Sequence, residues 1–562
     1  MKQQEIKIKQ IICYTYTIGI IGMMGMGKVL GDEGMAYLAV AMEGVSLFTL
    51  LVTCGISDVI ARLQKNRRAK GQFKGVARMR GQLLLLQGIT GALLTVVFLL
   101  LADTLAGKLF RVPYSASAMK LLAPVILLQA LGAALLGYFQ GGGSYMPSLV
   151  SAVLRQGFFL VFGSLFGRRL ANYGGKVSNL LKNSSYSGMY GAMGVAIGIL
   201  ITELLVLLFL FIISLGSDRK ADEQRSQEGL RRTESMGDII RVFYGALWQG
   251  TCTALLALLP ILLGAASYLR KIFQIYTAIS TFVPAADVAA STPEDMAPLT
   301  ELAADAAVAG YGSFFGKCFL LCAVFVLILT ARCFPVYGRL CGAIRREDVR
   351  HTRDVAAAGL HYVWTVGLYF AVTMMVMAPQ MGAGFFPGRE GGVEGMLRTG
   401  GIMVLLVSLV VLFSLVLLAH GERYILMGML GIWMVLITLF QNVFVKSSNY
   451  SVTGILSGAF LATLILLAGL AAYCIWQGRL NTEYIRVLGI PLAGAGIMGL
   501  AMMLVTKLLG AHMGNVAAVV VAALLGAVVY GVILVVTRNF RDYEISMLYG
   551  KQARKLLGRI IS

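Results

Sequence analysis

Fourteen apolar stretches, each long enough to cross a lipid bilayer, lie between Ile11 and Thr537. A hydrocarbon core about 30 Å thick needs roughly 20 residues of helix, because each residue adds about 1.5 Å. With 58% hydrophobic and 13% charged residues, the chain has little sequence left for a soluble domain. We therefore predict an all-α polytopic membrane protein. The predicted spans are 11–30, 36–61, 82–102, 120–140, 147–167, 191–215, 239–266, 308–334, 355–379, 397–419, 424–445, 453–476, 486–508 and 514–537.

The distribution of Lys and Arg predicts that both termini are cytoplasmic. Residues 62–80 contain eight basic residues and no acidic one, and basic segments at 339–353 and 538–559 fall on the same side. Cytoplasmic loops carry such an excess, so a multi-pass protein of the plasma membrane is expected. The net charge of +21 then indicates topology and contact with anionic membrane lipids. No basic stripe with interleaved aromatic residues points to nucleic acid.

Enzymatic motifs are lacking. The eight Cys and four His have no metal-ligand or catalytic spacing, and GxxxxGK[ST] does not occur. No cofactor, metal or ATP is therefore predicted. Membrane enzymes that act on lipid-linked sugars are a competing class, but the long outer loop at 267–307 has no His to serve in acid/base chemistry.

A weak internal repeat predicts two related halves. LADTLAGKLF at Leu101–Phe110 and MAPQMGAGFF at Met377–Phe386 both follow a basic loop and a helix. A repeat of six helices preserves orientation, so we predict two pseudo-symmetric six-helix bundles around a central cavity, plus two C-terminal helices. The predicted boundaries are 1–216 for the first bundle, 217–238 for a cytoplasmic linker, 239–480 for the second bundle, and 481–562 for the last two helices and a basic tail.

Several short segments carry a resemblance to a known family. They are KVLGDEG at Lys28–Gly34 in the predicted first loop, GISDVIARL at Gly55–Leu63, GYFQGGGSYMP at Gly137–Pro147, FFPG at Phe385–Gly388 and the closing Tyr530–Gly550. With fourteen spans, they resemble the polysaccharide-exporter branch of the multidrug/oligosaccharidyl-lipid/polysaccharide (MOP) superfamily, close to stage V sporulation protein B and lipid II flippase-like proteins. The resemblance implies two bundles that give alternating access to a central cavity, and an undecaprenyl-linked saccharide as cargo.

The sequence departs from that family at two places. Lipid II flippases carry arginines in the first helix, whereas residues 11–30 contain only Lys28 as a basic residue. Drug exporters of the superfamily tend to have acidic cation sites in the first or seventh helix, and neither helix core contains Asp or Glu here. Both lipid II as the cargo and a cation-driven drug pump are disfavoured.

Four ionisable residues lie deep within predicted spans: Glu43, Arg155, Glu203 and Lys317. An intramembrane charge costs at least about 2.5 to 3.5 kcal/mol, so each is a candidate substrate-binding residue. From the helix rise, Arg155 lies about 12 Å from the cytoplasmic side, and Glu203 about 18 Å from the outer side. They share a level and are expected to pair, either for transport or only to hold two helices together.

Lys317 is the candidate phosphate contact of the second half, with a lysine that snorkels to the outer interface as the alternative. Glu43 lies about 10 Å from the outer face. Trp248, Trp364 and Tyr369 are weaker candidates for stacking on sugar rings, because membrane aromatics more often pack.

These observations predict a flippase that moves a polyprenyl-pyrophosphate-linked oligosaccharide, a cell-wall or surface polysaccharide precursor, across the cytoplasmic membrane. Polysaccharide or peptidoglycan synthesis enzymes are possible partners. A multidrug/cation antiporter of the same superfamily and a non-transporting membrane scaffold remain alternatives.

Overall fold

The protein is helical wherever its structure is described. The computed structural model describes residues 3–225, 236–282, 307–386, 392–447, 453–480, 483–509, 514–541 and 544. These residues contain α- and π-helices and no strand. A helix satisfies its backbone hydrogen bonds internally, which hydrocarbon requires of a spanning segment. The predicted all-α class is confirmed.

Thirteen helices in the described residues are long and apolar enough to cross a membrane. The first, Glu5–Ala69, contains two of the fourteen predicted spans, which explains the difference in number. Gly31 separates them with φ 74° and ψ 178°, a conformation essentially restricted to glycine. The segment Lys28–Gly34, predicted as a loop, is therefore helical on both sides of one kinked residue.

Packing divides the chain into two compact units. We call Gly22–Phe315 the N-terminal unit, and Met1–Ile21 together with Gly316–Ser562 the C-terminal unit. Helix Met236–Phe282 belongs to the N-terminal unit, although the predicted second bundle begins at residue 239. The predicted bundle boundaries therefore remain a prediction. Residues 226–235 of the linker at 217–238, most of the outer loop at 267–307 and the tail at 545–562 lie outside the described residues.

The helices of the N-terminal unit begin with α1, whose first turns belong to the C-terminal unit. They are α1 (Gln3–Thr53), α2 (Ile56–Ala69), α3 (Phe73–Thr104), α4 (Ser115–Gly141), α5 (Met146–Phe158), α6 (Ser164–Leu181), α7 (Ser185–Arg225) and α8 (Met236–Phe282). Two π-helical segments, Leu105–Leu109 and Phe159–Gly163, follow α3 and α5. Buried Ile239, Phe243 and Leu247 attach α8 to the core formed with α2, α3 and α4.

In the part of the C-terminal unit that the structure describes, there are eight further α-helices. They are α9 (Leu320–Arg345), α10 (Val349–Val376), α11 (Ala378–Phe385), α12 (Val393–Ala419), α13 (Arg423–Ser447), α14 (Thr453–Trp476), α15 (Ile490–Leu509) and α16 (Asn515–Val536). A π-helical segment, Phe314–Phe319, precedes α9. The last two helices, α15 and α16, pack on each other and on α10 and α11. They are thus an integral layer of this unit.

Helix α3 shows how the sequence separates a lipid-facing side from a packed side. Its exposed apolar residues recur every three or four positions: Leu85, Ile89, Leu93, Val96 and Leu100. At 3.6 residues per turn these positions form one stripe. A large exposed apolar stripe on a helix of this length fits hydrocarbon and not water.

Small residues let α7 approach the segment between α5 and α6. A Cβ atom added to Gly198 would lie 2.5 Å from the Gly163 Cα, and one added to Gly194 would lie 2.3 Å from the Phe166 carbonyl oxygen. Membrane helices lack a strong hydrophobic drive to associate, so close backbone packing supplies much of their attraction.

Replacing Gly198 by alanine should destabilise the N-terminal unit by about 1–3 kcal/mol, because the added methyl group overpacks this contact. Gly175→Ala in α6 is the control, since a Cβ there meets nothing within 4 Å. Gly175→Ala should raise the free energy of unfolding by less than about 1 kcal/mol, because alanine favours the helix more than glycine does. Thermal unfolding of the purified variants measures both, and equal effects would contradict the packing argument.

A buried polar cluster connects the segment after α16 to α10 and to the π-helical segment Ile485–Gly489, which precedes α15. His361, Asn539 and Glu544 are fully buried. The Asn539 amide nitrogen lies 2.9 Å from His361 Nε2, so Nδ1 donates to Glu544 Oε2 at 3.2 Å. The Phe540 ring stacks on the imidazole, with centroids 4.3 Å apart. Arg486 Nη2 donates to Glu544 Oε1 at 3.1 Å.

Although burial raises the pKa of Glu544, the hydrogen bonds from His361, the Arg541 backbone N–H and Arg486 outweigh it and lower the pKa to about 2. A carboxyl with a depressed folded-state pKa stabilises the fold above its unfolded value, and this stability is lost as pH falls towards the folded value. The cluster is therefore acid-sensitive.

We expect the wild-type protein to lose up to about 3 kcal/mol of stability as pH falls from about 4.5 to about 2. Glu544→Gln should be less stable at neutral pH and should lack this acid-dependent component. Unfolding midpoints measured across that pH range test the prediction, with Glu394→Gln at an exposed, i,i+4-paired site as the control. Identical pH profiles for wild type and Glu544→Gln would contradict it.

Candidate functional site

Helices α5 and α7 bring two opposite charges to one level inside the N-terminal unit. Buried residues of α5 fall on one face, which includes Ser148, Ser151 and Ala152, and Arg155 continues that face by one turn. On α7, Glu203 is 5% exposed and lies one turn before buried Val206. The close glycine contact between α7 and the segment after α5 leaves room for the two side chains to meet.

The two residues form a two-point ion pair. Arg155 Nη2 donates to Glu203 Oε2 at 3.0 Å, and Nε lies 2.8 Å from Oε1. Gln129 of α4 also donates to Oε1 through Nε2, at 3.2 Å. The predicted pairing is confirmed, and it joins three helices. Their role in substrate binding stays a prediction.

The pair is unequally buried. The Glu203 side chain is 6% exposed, whereas that of Arg155 is 22% exposed. Each oxygen of Glu203 has a cationic or amide donor, so its charge is compensated, as a buried carboxylate requires. The arrangement can therefore hold a guanidinium at membrane depth with part of its side chain exposed.

Glu43 has a different environment in the same unit. The carboxyl of this α1 residue is 9% exposed and accepts a hydrogen bond from the Tyr311 hydroxyl through Oε1. Its other oxygen, Oε2, is buried without a hydrogen-bond partner, and within the described chain Glu43 forms no ion pair. Glu43 is thus a buried carboxyl whose charge is uncompensated.

Lys317 lies in the C-terminal unit, within the π-helical segment before α9. It is 6% exposed, and its ammonium lies 5.8 Å from the Phe386 ring centroid. A snorkelling lysine reaches interfacial water, so this burial argues against that alternative. π-Helical turns re-aim side chains and occur often at functional sites.

Two of the aromatic candidates for sugar stacking have structural partners. The Trp364 indole N–H donates to the Leu488 carbonyl at 3.1 Å, and the Tyr369 hydroxyl donates to the Ala523 carbonyl at 2.9 Å. Both bonds attach α10 to the last two helices. Trp248 is 45% exposed, which suits an interfacial position more than a packed one.

Sequence reasoning missed three partners. Gln129 lies near the middle of an otherwise apolar span, which was a usable signal. Tyr311 resembles the many other membrane tyrosines, so its contact with a residue 268 positions away had no local signal. The burial of Glu544 was equally invisible, because it follows the last apolar span in a basic stretch.

No group of three or more His, Cys, Asp or Glu side chains in the part of the chain that the structure describes is arranged to hold a metal ion. The eight cysteines have free thiols. The chemistry at hand therefore consists of paired and unpaired charges inside a helical membrane protein.

The described helices define a multi-pass helical membrane protein, and its fold is similar to that of solved transporters. An inward-facing multidrug resistance MATE family transporter of the MOP superfamily aligns with 14% identity and a TM-score of 0.60, over 83% of this chain and 94% of its own. A lipid II flippase, MurJ, in an inward closed conformation aligns with 11% identity and a TM-score of 0.59, over 95% of this chain and 99% of its own.

Sequence comparisons agree with the fold. The family model described as polysaccharide biosynthesis protein matches residues 9–192. Stage V sporulation protein B of Bacillus subtilis (strain 168) is 25% identical over 142 residues, which is 25% of this chain and 27% of that relative. The matched stretch thus spans little more than a quarter of that relative. The resemblance predicted from the sequence is confirmed.

Removing one partner of the ion pair should cost more than removing both. Arg155→Met leaves the Glu203 charge buried and should destabilise the protein by about 3–5 kcal/mol. The double variant Arg155→Met/Glu203→Met should recover most of this loss, because apolar side chains of similar size can replace a buried pair. Thermal unfolding of the two single variants and the double variant gives the coupling energy, and additive effects would contradict the pairing.

Proposed function

We propose that this protein is a flippase that moves a polyprenyl-pyrophosphate-linked oligosaccharide across the cytoplasmic membrane by alternating access. The match of residues 9–192 to a polysaccharide biosynthesis family is the observation that favours this cargo class. The fold is shared with a protein named as a lipid II flippase, which is consistent with a lipid-linked substrate.

The proposed orientation places both termini in the cytoplasm, next to anionic lipid headgroups. The basic segment 62–80 would then lie on the side where lipid-linked precursors are loaded. In this proposal the polyprenyl tail stays in hydrocarbon while the sugar and pyrophosphate pass through a hydrated route inside the protein. Desolvation of the phosphates is offset by basic groups along that route.

Lys317 is the proposed phosphate contact. A compact ammonium binds a phosphate as a point charge, and a charge-assisted hydrogen bond is roughly twice as strong as a neutral one. The nearby Phe386 ring holds the ammonium by a cation–π contact that an anionic ligand can replace.

Arg155 and Glu203 form the proposed contact in the N-terminal unit. Because Glu203 already neutralises Arg155, the pair offers a weaker site for phosphate than Lys317. A polar pair of this kind suits hydroxyl groups of a saccharide, which can donate to the carboxylate and accept from the guanidinium. Glu43 completes the set of proposed pathway residues.

A multidrug exporter is the second candidate, favoured by the similarity to the MATE transporter fold. The two classes differ in the charge they bind, since exporters of cationic drugs need acidic groups and a pyrophosphate needs basic ones. Buried Lys317 favours the anionic cargo.

We expect Lys317→Ala to reduce translocation of a fluorescent undecaprenyl-pyrophosphate oligosaccharide in proteoliposomes at least roughly tenfold, because a desolvated charge contact costs about 2–5 kcal/mol to truncate. Lys317→Arg should retain part of the activity. Lys507→Ala, which changes an exposed lysine of the same unit, is the matched control and should transport normally.

Normal transport by folded Lys317→Ala would contradict the proposed phosphate contact. Absence of transport by the wild type with several glycans, together with efflux of a cationic dye, would favour the drug exporter. Absence of both would favour a non-transporting scaffold.

A further inference from the structure

Glu43 is the one of the four deep charges whose local structure departs most from the rule that buried charges are paired. A Cβ atom added to Gly312 would lie 1.7 Å from the Asp32 carbonyl oxygen. The helix that starts at Ala307 therefore approaches α1 backbone to backbone. Because the two backbones are so close, the side chain of Tyr311, the residue before Gly312, reaches the Glu43 carboxyl.

The second carboxyl oxygen of Glu43, Oε2, is buried and has no hydrogen-bond partner in the described residues. The next residue, Gly44, is closely packed, since a Cβ there would meet Met119 of α4 at 3.2 Å and Phe98 of α3 at 3.7 Å. The Ser46 hydroxyl donates to the Glu43 backbone carbonyl at 2.7 Å and so does not serve the carboxyl. Tyr311 is 2% exposed, and its ring packs against Tyr268 and Phe314.

Among the described residues, Tyr311 is the titratable group that faces Glu43 from a neighbouring element. On α1 itself the nearest charged residues are Glu33 and Asp32, ten and eleven positions earlier. No cation compensates a negative charge on Glu43 within the described chain.

We propose that Glu43 and Tyr311 form a proton-binding site, in which Glu43 takes up a proton from the outer side and releases it towards the cytoplasm as cargo moves outward. The proton adds to a lone pair of Oε2, forming an O–H bond, while Oε1 keeps the hydrogen bond from Tyr311. Release reverses this step and returns the carboxylate. The coupling to cargo rests on the proposed flippase function, whereas proton binding itself does not.

A proton suits the site better than a metal cation. Hard cations need several oxygen ligands, whereas Glu43 and the Tyr311 hydroxyl are the two side-chain groups that meet here in the described residues. A proton needs a single lone pair. It also removes the charge entirely, which suits a buried carboxyl with an oxygen that has no hydrogen-bond partner in the described residues.

The position of Tyr311 along the chain links the site to the proposed cargo contact. Tyr311 and Lys317 are six residues apart in the same candidate span, Ala307–Arg345, and the π-helical segment Phe314–Phe319 begins between them. Loss of the proton adds a negative charge beside the Tyr311 hydroxyl and strengthens its hydrogen bond. In this proposal, the change at Tyr311 is the step that couples proton binding to movement of the cargo.

Infrared difference spectroscopy of the purified full-length protein in lipid nanodiscs tests proton binding directly. A protonated carboxylic acid gives a carbonyl band separate from that of carboxylates. In a titration from about pH 5 to about pH 9, which lies above the ordinary carboxyl range, we expect a carboxylic-acid band in the wild type that is lost in Glu43→Gln. Glu394→Gln, at an exposed glutamate paired with Arg398, should retain it.

Tyr311→Phe keeps the carboxyl and removes its hydrogen-bond donor, so its band should persist and shift to higher frequency. This variant also decides the matter if Glu43→Gln does not fold. A band unchanged in Glu43→Gln, or unshifted in Tyr311→Phe, would overturn the proposal.

Proteoliposomes with an imposed pH gradient test the coupling. Acidifying the side that corresponds to the cell exterior should raise wild-type translocation of the fluorescent oligosaccharide several-fold, and Glu43→Gln should lose this response. Equal responses in the two proteins would overturn coupling through Glu43. If the wild type moves no cargo, the flippase function fails, while the infrared band still decides whether Glu43 binds a proton.

Discussion

The low polarity of hydrocarbon is the constraint on which the rest of the structure depends. It forces the backbone into helices, because an unpaired N–H or C=O costs several kcal/mol there. It also removes the usual hydrophobic attraction between helices, so that contacts such as Gly198 on Gly163 become important. Finally, it makes each ionisable side chain costly unless a partner or water compensates its charge.

The protein meets this last requirement in three ways. Arg155 and Glu203 neutralise each other with help from Gln129. Lys317 is buried with its ammonium against the Phe386 ring. Glu43 accepts a hydrogen bond from the Tyr311 hydroxyl, and within the described residues its second oxygen has no hydrogen-bond partner. Arg155 and Glu203 thus form a closed ion pair, whereas Glu43 has an incompletely hydrogen-bonded carboxyl.

A pattern of apolar spans and basic loops was sufficient to predict the helical class, the number of crossings and the superfamily resemblance. It was also sufficient to place Arg155 and Glu203 at one level, because helix rise converts sequence position into depth. It predicted a loop at Lys28–Gly34, whereas a single glycine at positive φ bends an otherwise continuous helix. It did not indicate that three buried side chains of helix Met236–Phe282 pack into a core with α2, α3 and α4, and the predicted bundle boundary at residue 239 stays a prediction.

The sequence alone determined properties of individual helices: where each helix lies along the chain, how long it is, what charge it carries and how deep its residues lie. Each of these depends only on neighbouring residues and on the bilayer. Tertiary structure alone decided which groups meet. Tyr311 reaches Glu43 across 268 positions because Gly312 lets two backbones touch, and Glu544 reaches His361 because the chain turns back after α16. Such contacts depend on the packing of several helices at once, which no local pattern in the sequence encodes.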